Sequence, residues 1–272
     1  MKYSLTILFF IILNFSFAQN IEKSKIYIIG TVHSSSTILT PETLLKILDE
    51  IKPEILLQES DSHNMAIYFD DLDPNSNERN ASLNYIKKNP KTVNLSFEFE
   101  GRNSYRKNNG MTPTDDLTIH LIDSLYHKNL LSDVNSEIYK KYNEANKVLI
   151  EYFKSDIKTL NSIEFEVFNK YRQYLQHHEL PKITNSEKIF SERFVTKPNG
   201  EKISYREGFQ LWCKFWDLRN NTMASNIIKT VYKNKGKSIV VLTGAQHKYY
   251  LKELLEKYYD GNYQLIEYFD EK

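Results

Sequence analysis

Lys25-Ile26-Tyr27-Ile28-Ile29-Gly30-Thr31-Val32-His33 (KIYIIGTVH) and, far downstream, Ser238–His247 (SIVVLTGAQH) follow one plan. Each is a short β-branched run, then glycine, two residues and histidine. A continuous apolar run of this length reads as a strand buried on both faces. After the first run, Thr40-Pro41 forms a helix start, with threonine as N-cap and proline at the first helical position. Leu44, Leu45, Ile47, Leu48 and Ile51 recur at helical spacing up to Lys52-Pro53. Ile55-Leu56-Leu57 is a second buried strand ending at Gln58-Glu59. Strand, helix, strand over this distance implies parallel strands joined by a right-handed crossover.

Working outward, Val93, Leu95, Phe97 and Phe99 alternate with Asn94, Ser96, Glu98 and Glu100, which predicts a strand with one polar face. A helix-rich stretch follows, with Asp115 as a cap for Leu117, Leu121, Ile122 and Leu125. Lys197-Pro198-Asn199-Gly200 is a tight turn, and Trp212–Tyr232 reads as one or two helices. After the second Gly-x-x-His come a helix over Lys248–Tyr258 and a last strand over Gln264–Tyr268. The fold class is therefore α/β, with a parallel-rich sheet built from both ends of the chain. A helical insertion at about 115–215 covers it, within a single domain spanning 19–272.

The chain opens with Lys2, the apolar Leu5–Leu13 and a Ser16-x-Ala18 exit, the three regions of a signal peptide over residues 1–18. Export to the periplasm or beyond is the expectation, with no membrane span after cleavage. Removing Lys2 leaves 35 basic and 35 acidic side chains, so nothing indicates a nucleic-acid partner. Cys213 is alone and flanked by Leu211-Trp212 and Phe215-Trp216. It reads as a buried thiol, with a nucleophilic role as the alternative.

In an open α/β sheet ligands bind beyond the carboxyl ends of the strands. His33, Glu59 and His247 all fall there. Two imidazoles and a carboxylate suit a divalent metal (manganese, cobalt or zinc) that activates water. Glu98 or Glu100 adds a ligand or a general base. Glu98 and Arg102 otherwise read as an exposed ion pair. Arg219 either stabilises developing negative charge or docks its own helix. His177-His178 reads as a solvated helix end, and Tyr249-Tyr250 as partly buried helix positions. His-Glu-x-x-His, Gly-x-Ser-x-Gly, phosphate-loop and dinucleotide patterns are absent.

Gly30-Thr31-Val32-His33-Ser34, Pro53-Glu54-Ile55 leading to Glu59, and Gly244-Ala245-Gln246-His247 resemble the TraB/TIKI superfamily with its GumN-like bacterial members. Arg219-Asn220-Asn221-Thr222-Met223-Ala224 is similar to that group's Arg-Asp-x-x-Met-Ala segment. The resemblance spans about 25–60 and 217–258. It implies His33, Glu59, His247 and Arg219 as site residues. The TIKI branch is a manganese- or cobalt-dependent protease, distantly related to erythromycin-esterase-like and haem-binding ChaN-like proteins. Two departures stand out: Asn220 replaces the usual Asp, and Lys248-Tyr249-Tyr250 replaces a small-residue loop. The leading expectation is an exported metal-dependent hydrolase cleaving a peptide or small-molecule substrate at an amide. Haem or other ligand binding without turnover, and metal-free ester hydrolysis with histidine as base, stand beside it.

Overall fold

The computed structural model describes residues 22–33, 39–62 and 76–270. The expected signal peptide, residues 1–18, lies outside the described residues. Five parallel strands form one sheet in the order β3-β2-β6-β1-β7. They are β1 (Ser24–Thr31), β2 (Ile55–Gln58), β3 (Val93–Ser96), β6 (Ser238–Gly244) and β7 (Tyr263–Ile266). The downstream β6 lies between β1 and β2, so both ends of the chain do build the sheet, and the class is α/β.

Burial on both faces explains the continuous apolar runs. Ile29, Leu56, Val240 and Leu242 pack under α1 (Pro41–Ile51) and α2 (Asn77–Lys88). Ile26, Ile28, Ile55, Leu57, Ile239 and Val241 pack under α10 (Tyr205–Lys233) and α11 (Ala245–Lys257). The α1 start follows the reading: the Thr40 hydroxyl accepts from the Thr43 amide and Pro41 opens the helix. Its end falls at Lys52, held left-handed at φ 54°.

The segment between β3 and α10 is helical from Arg102 to Glu192: α3 (Arg102–Asn108), α4 (Thr114–His127), α5 (Asp133–Phe153), α6 (Ile157–Leu160), α7 (Ile163–Tyr174), α8 (Leu180–Ser186) and α9 (Ile189–Glu192). A π-helical turn, Leu175–Glu179, joins α7 to α8. The 197–200 turn is the tip of a hairpin, β4 (Phe194–Thr196) against β5 (Lys202–Ser204). Part of this segment covers the sheet, through Leu149, Ile157, Leu160 and Phe165. The rest has its own core, around Tyr139, Leu175, Leu180, Phe190 and Phe209. The single helix α10 spans both: Phe209 and Cys213 lie in the lobe core, Met223, Ala224 and Ile227 on the sheet. Its Ser204/Glu207 capping box closes its first turn.

Three expectations are corrected. β3 stops at Ser96, because Phe97 turns into the sheet core while Val93 and Leu95 stay exposed on the edge strand. The polar face is therefore not the one the alternation gives, and Glu98 is buried. Asp115 lies inside the first turn of α4 and pairs with Arg106 rather than capping. His177 is buried in the π-helical turn.

Candidate functional site

The strand ends set the geometry. In register, Thr31 lies opposite Gly244, and Gln58 lies opposite both Leu242 and Ser96. The residues that follow, His33, Glu59, Glu98 and His247, therefore gather at one edge. Gly30 and Gly244 make the approach possible. A Cβ on Gly30 would lie 3.0 Å from the Ala245 Cα, and one on Gly244 only 3.3 Å from His33 Nε2.

Arg219, reaching in from α10, is the hub. Its Nε donates to Glu98 Oε1 at 2.9 Å and its Nη2 to Glu59 and Glu98. Its Nη1 donates to His247 Nε2 at 2.8 Å. Four of the five guanidinium N–H groups are thereby engaged, and one on Nη1 is left. Arg102 pairs with Glu98 at 3.1 Å and approaches Glu59 at 4.0 Å. Glu59 also accepts from the Thr243 hydroxyl and the Gly244 amide. Burial works against its ionisation, but the adjacent histidines and Arg219 outweigh it, holding the carboxyl well below the usual range.

The two histidines differ. His247 lies in the first turn of α11, buried, with Trp216 stacked on it at 4.5 Å. Its Nδ1–H donates to Asn220 Oδ1 at 2.8 Å, so Nε2 is the acceptor of the Arg219 bond. Burial, reinforced by the Arg219 charge, pulls its pKa down to about 3, so it is neutral. His33 is 64 % exposed and pairs through Nδ1 with Glu78 Oε1 at 2.9 Å. That hydrogen bond outweighs desolvation and raises its pKa to about 9. Its Nε2 faces the Gly244–Glu59 edge.

His33, Glu59, Glu98, Arg219 and His247 are thus brought together, with Arg102 beside them. Glu100 is not in the cluster: it is exposed and accepts from the Ser62 amide. The sequence reading missed Glu78, although Asn77, Glu78, Ala81, Ser82 and Tyr85 form a helical stripe of buried, mostly polar residues. It also missed Trp216, which follows Trp212 by one helical turn.

No family model and no curated protein matches the chain. Among solved structures, a variant of an erythromycin esterase in an open conformation aligns at 9% identity with a TM-score of 0.32. The alignment covers 80% of this chain and 60% of that one, so this chain spans less than two thirds of that protein. A likeness at that level carries no weight for the chemistry, which rests on the side chains themselves.

Those side chains do not fit the divalent metal that the family resemblance implies. Three ligands must direct lone pairs at one point about 2.0–2.2 Å away. Glu59 and His247 come close, with Oε1 and Nε2 3.7 Å apart. Yet the His247 lone pair is taken by Arg219, which leaves at most Glu59 and His33 to face one point. Among the described residues no three His, Cys, Asp or Glu side chains are arranged to hold a metal. A guanidinium supplies the positive charge between the carboxylates instead.

Larger hollows lie elsewhere. A cavity of about 790 Å³ opens at the amino ends of β2 and β3, beside Pro53, Ile55, Tyr85 and Val93. It is at the end of the strands opposite to the histidines and contains none of these groups.

Proposed function

We propose that this protein is a hydrolase of esters or amides, exported by its leader, in which His33 moves the proton and Arg219 meets the developing charge. The observation behind it is the division of labour between the histidines. His247 is neutral, buried and fully bonded, so it positions Arg219. His33 is exposed, held by Glu78 at Nδ1, and has Nε2 directed to the site. That is the arrangement of an oriented general base.

The neutral imidazole takes a proton from water at Nε2 as the water oxygen attacks a carbonyl carbon. Negative charge gathers on the carbonyl oxygen. The remaining Nη1–H of Arg219, aided by Arg102, faces that charge in a largely desolvated setting. Collapse of the adduct expels the alcohol or amine, which takes the proton back from His33. Glu78 holds the ring orientation and stabilises the imidazolium throughout.

The test is hydrolysis of p-nitrophenyl acetate and of a peptide panel after exhaustive chelation. Activity should survive chelation and fall by about 10²- to 10⁴-fold in His33→Gln. Activity lost on chelation and recovered with manganese, cobalt or zinc would overturn the scheme in favour of metal-activated water.

A further inference from the structure

Five aromatic rings pack in series between the lobe and the site. Phe209 lies against Trp212 with ring centroids 5.4 Å apart, and Trp212 against His177 at 4.8 Å. His177 is stacked on Trp216 at 5.1 Å, and Trp216 on His247 at 4.5 Å, with interplanar angles of 12° and 22°. Phe209, Trp212 and Trp216 stand at i, i+3 and i+7 along α10, on one helical stripe. His177 enters between the two indoles from the lobe, and His247 comes from the first turn of α11. The column starts in the lobe core, where Phe209 is fully buried, and ends on the histidine that receives Arg219.

The π-helical turn makes the entry of His177 possible. The Leu180 amide donates to the Leu175 carbonyl, five residues back, so the turn holds one residue more than an α-helical one. Without that residue the two sides of the turn would be out of phase by about 100°, the rotation per residue of an α-helix. The Cys213 thiol on α10 donates to the Gln176 carbonyl at 3.9 Å, so the lone cysteine braces the turn that carries His177. Burial keeps the His177 ring neutral, as it does that of His247.

His247 is held by two hydrogen bonds, its Nδ1–H to Asn220 and the Arg219 Nη1–H to its Nε2. Both lie close to the ring plane. Such bonds resist being stretched but yield to a swing of the ring out of its plane. A swing of that kind carries the Nε2 lone pair off the line of the Arg219 N–H, and the bond weakens as the angle falls. The indole of Trp216 covers the ring and blocks the swing on its side, and His177 backs the other face of the indole. Arg219 is the group that meets the developing charge in the hydrolase reading, on which this inference rests. We infer that Trp216 and His177 are positioning residues for the His247–Arg219 pair, and that the lobe sets the site through them.

Kinetics and NMR on the whole protein test this. Trp216→Leu should lower kcat for p-nitrophenyl acetate about ten- to a hundredfold with KM unchanged, because orientation acts in the transition state. Trp216→Phe keeps a ring against His247 and should recover most of the rate. His177→Ala should give a smaller loss of the same kind, recovered in His177→Phe. Phe190→Leu, in the lobe core but outside the column, is the control: it lowers the urea midpoint and should leave kcat at the wild-type value. The second readout needs no turnover. With ¹³C-labelled histidine, the His247 ring signal, assigned through His247→Gln, is displaced by the indole face. It should move in Trp216→Leu and His177→Ala and return towards its place in the Phe variants. A kcat loss in Trp216→Leu that Trp216→Phe does not recover, or that Phe190→Leu matches at an equal fall in urea midpoint, would reduce the column to packing and overturn the assignment. Wild-type protein that hydrolyses neither ester nor peptide removes the hydrolase reading alone. The NMR signal then decides, and a His247 signal unmoved in both Trp216→Leu and His177→Ala overturns the role of the column by itself.

Discussion

At the scale of single residues, Glu78 decides when His33 works. Its carboxylate raises the His33 pKa to about 9, so at neutral pH most of the population is imidazolium and cannot take a proton from water. The rate should therefore rise with pH and level off above about 9. Glu78→Gln removes the charge that favours the imidazolium while keeping an oxygen at Nδ1. Its profile should shift to lower pH, towards the ordinary histidine value near 6.5, with a lower plateau because the imidazolium formed in the reaction loses its partner. A pH–kcat/KM series on both proteins checks this, and an unshifted acid limb would show that another group titrates. His33, Glu59 and His247 were legible because glycine and a strand end place them without help from the rest of the chain. Glu78 and Trp216 were not, since each acts through a partner far away in sequence. A helix stripe of Asn77, Glu78 and Ser82 also looks solvated until Thr31, His33 and Gln58 are set against it.

Among elements, the end of β1 shows how the lobe and the sheet cooperate. β7 pairs with β1 only from Ser24 to Tyr27, so beyond that point the β1 backbone has an open side. The Asn161 side chain fills it: Oδ1 accepts from the Gly30 amide at 2.8 Å and Nδ2 donates to the Gly30 carbonyl at 2.8 Å. One amide side chain thus imitates a neighbouring strand just before the Thr31–His33 exit. Asn161→Ala should leave two buried backbone groups unpaired and cost about 2–4 kcal/mol. Urea denaturation of the two proteins measures it, and a loss below about 0.5 kcal/mol would mean water replaces the amide. The central strands and α1 were legible because apolar period and caps are local signals. The β3 boundary was not. Its alternation continues through Phe99, but Phe97 is drawn into the core and Glu98 to Arg219, an outcome set by tertiary partners.

Over the whole molecule, buried charge at the strand ends should tie stability to pH in a defined way. His247 has a folded pKa of about 3 against 6.5 unfolded, so its contribution is complete above 6.5 and is lost as pH falls towards 3. Glu59 acts in the same direction: its depressed pKa stabilises the fold above the ordinary carboxylate value and ceases to do so in acid. His33 is opposite, with a contribution complete below 6.5 and lost as pH rises through about 9. The three together give a stability maximum near neutrality, flanked by an acid limb and a shallower alkaline one. The acid limb is the steeper because His247 and Glu59 are buried, whereas His33 is open to solvent and screened. For His247 the full change is on the order of 5 kcal/mol. Replacing it with Gln removes the titration but keeps an acceptor for Arg219, so urea midpoints at pH 4 and 7 should differ less in His247→Gln than in the wild type. His33→Gln should instead flatten the change between pH 7 and 10 and leave the acid side as it was. Equal acid sensitivity in wild type and His247→Gln would mean that His247 takes up its proton in the fold without loss, and its neutral role as acceptor for Arg219 would have to be abandoned.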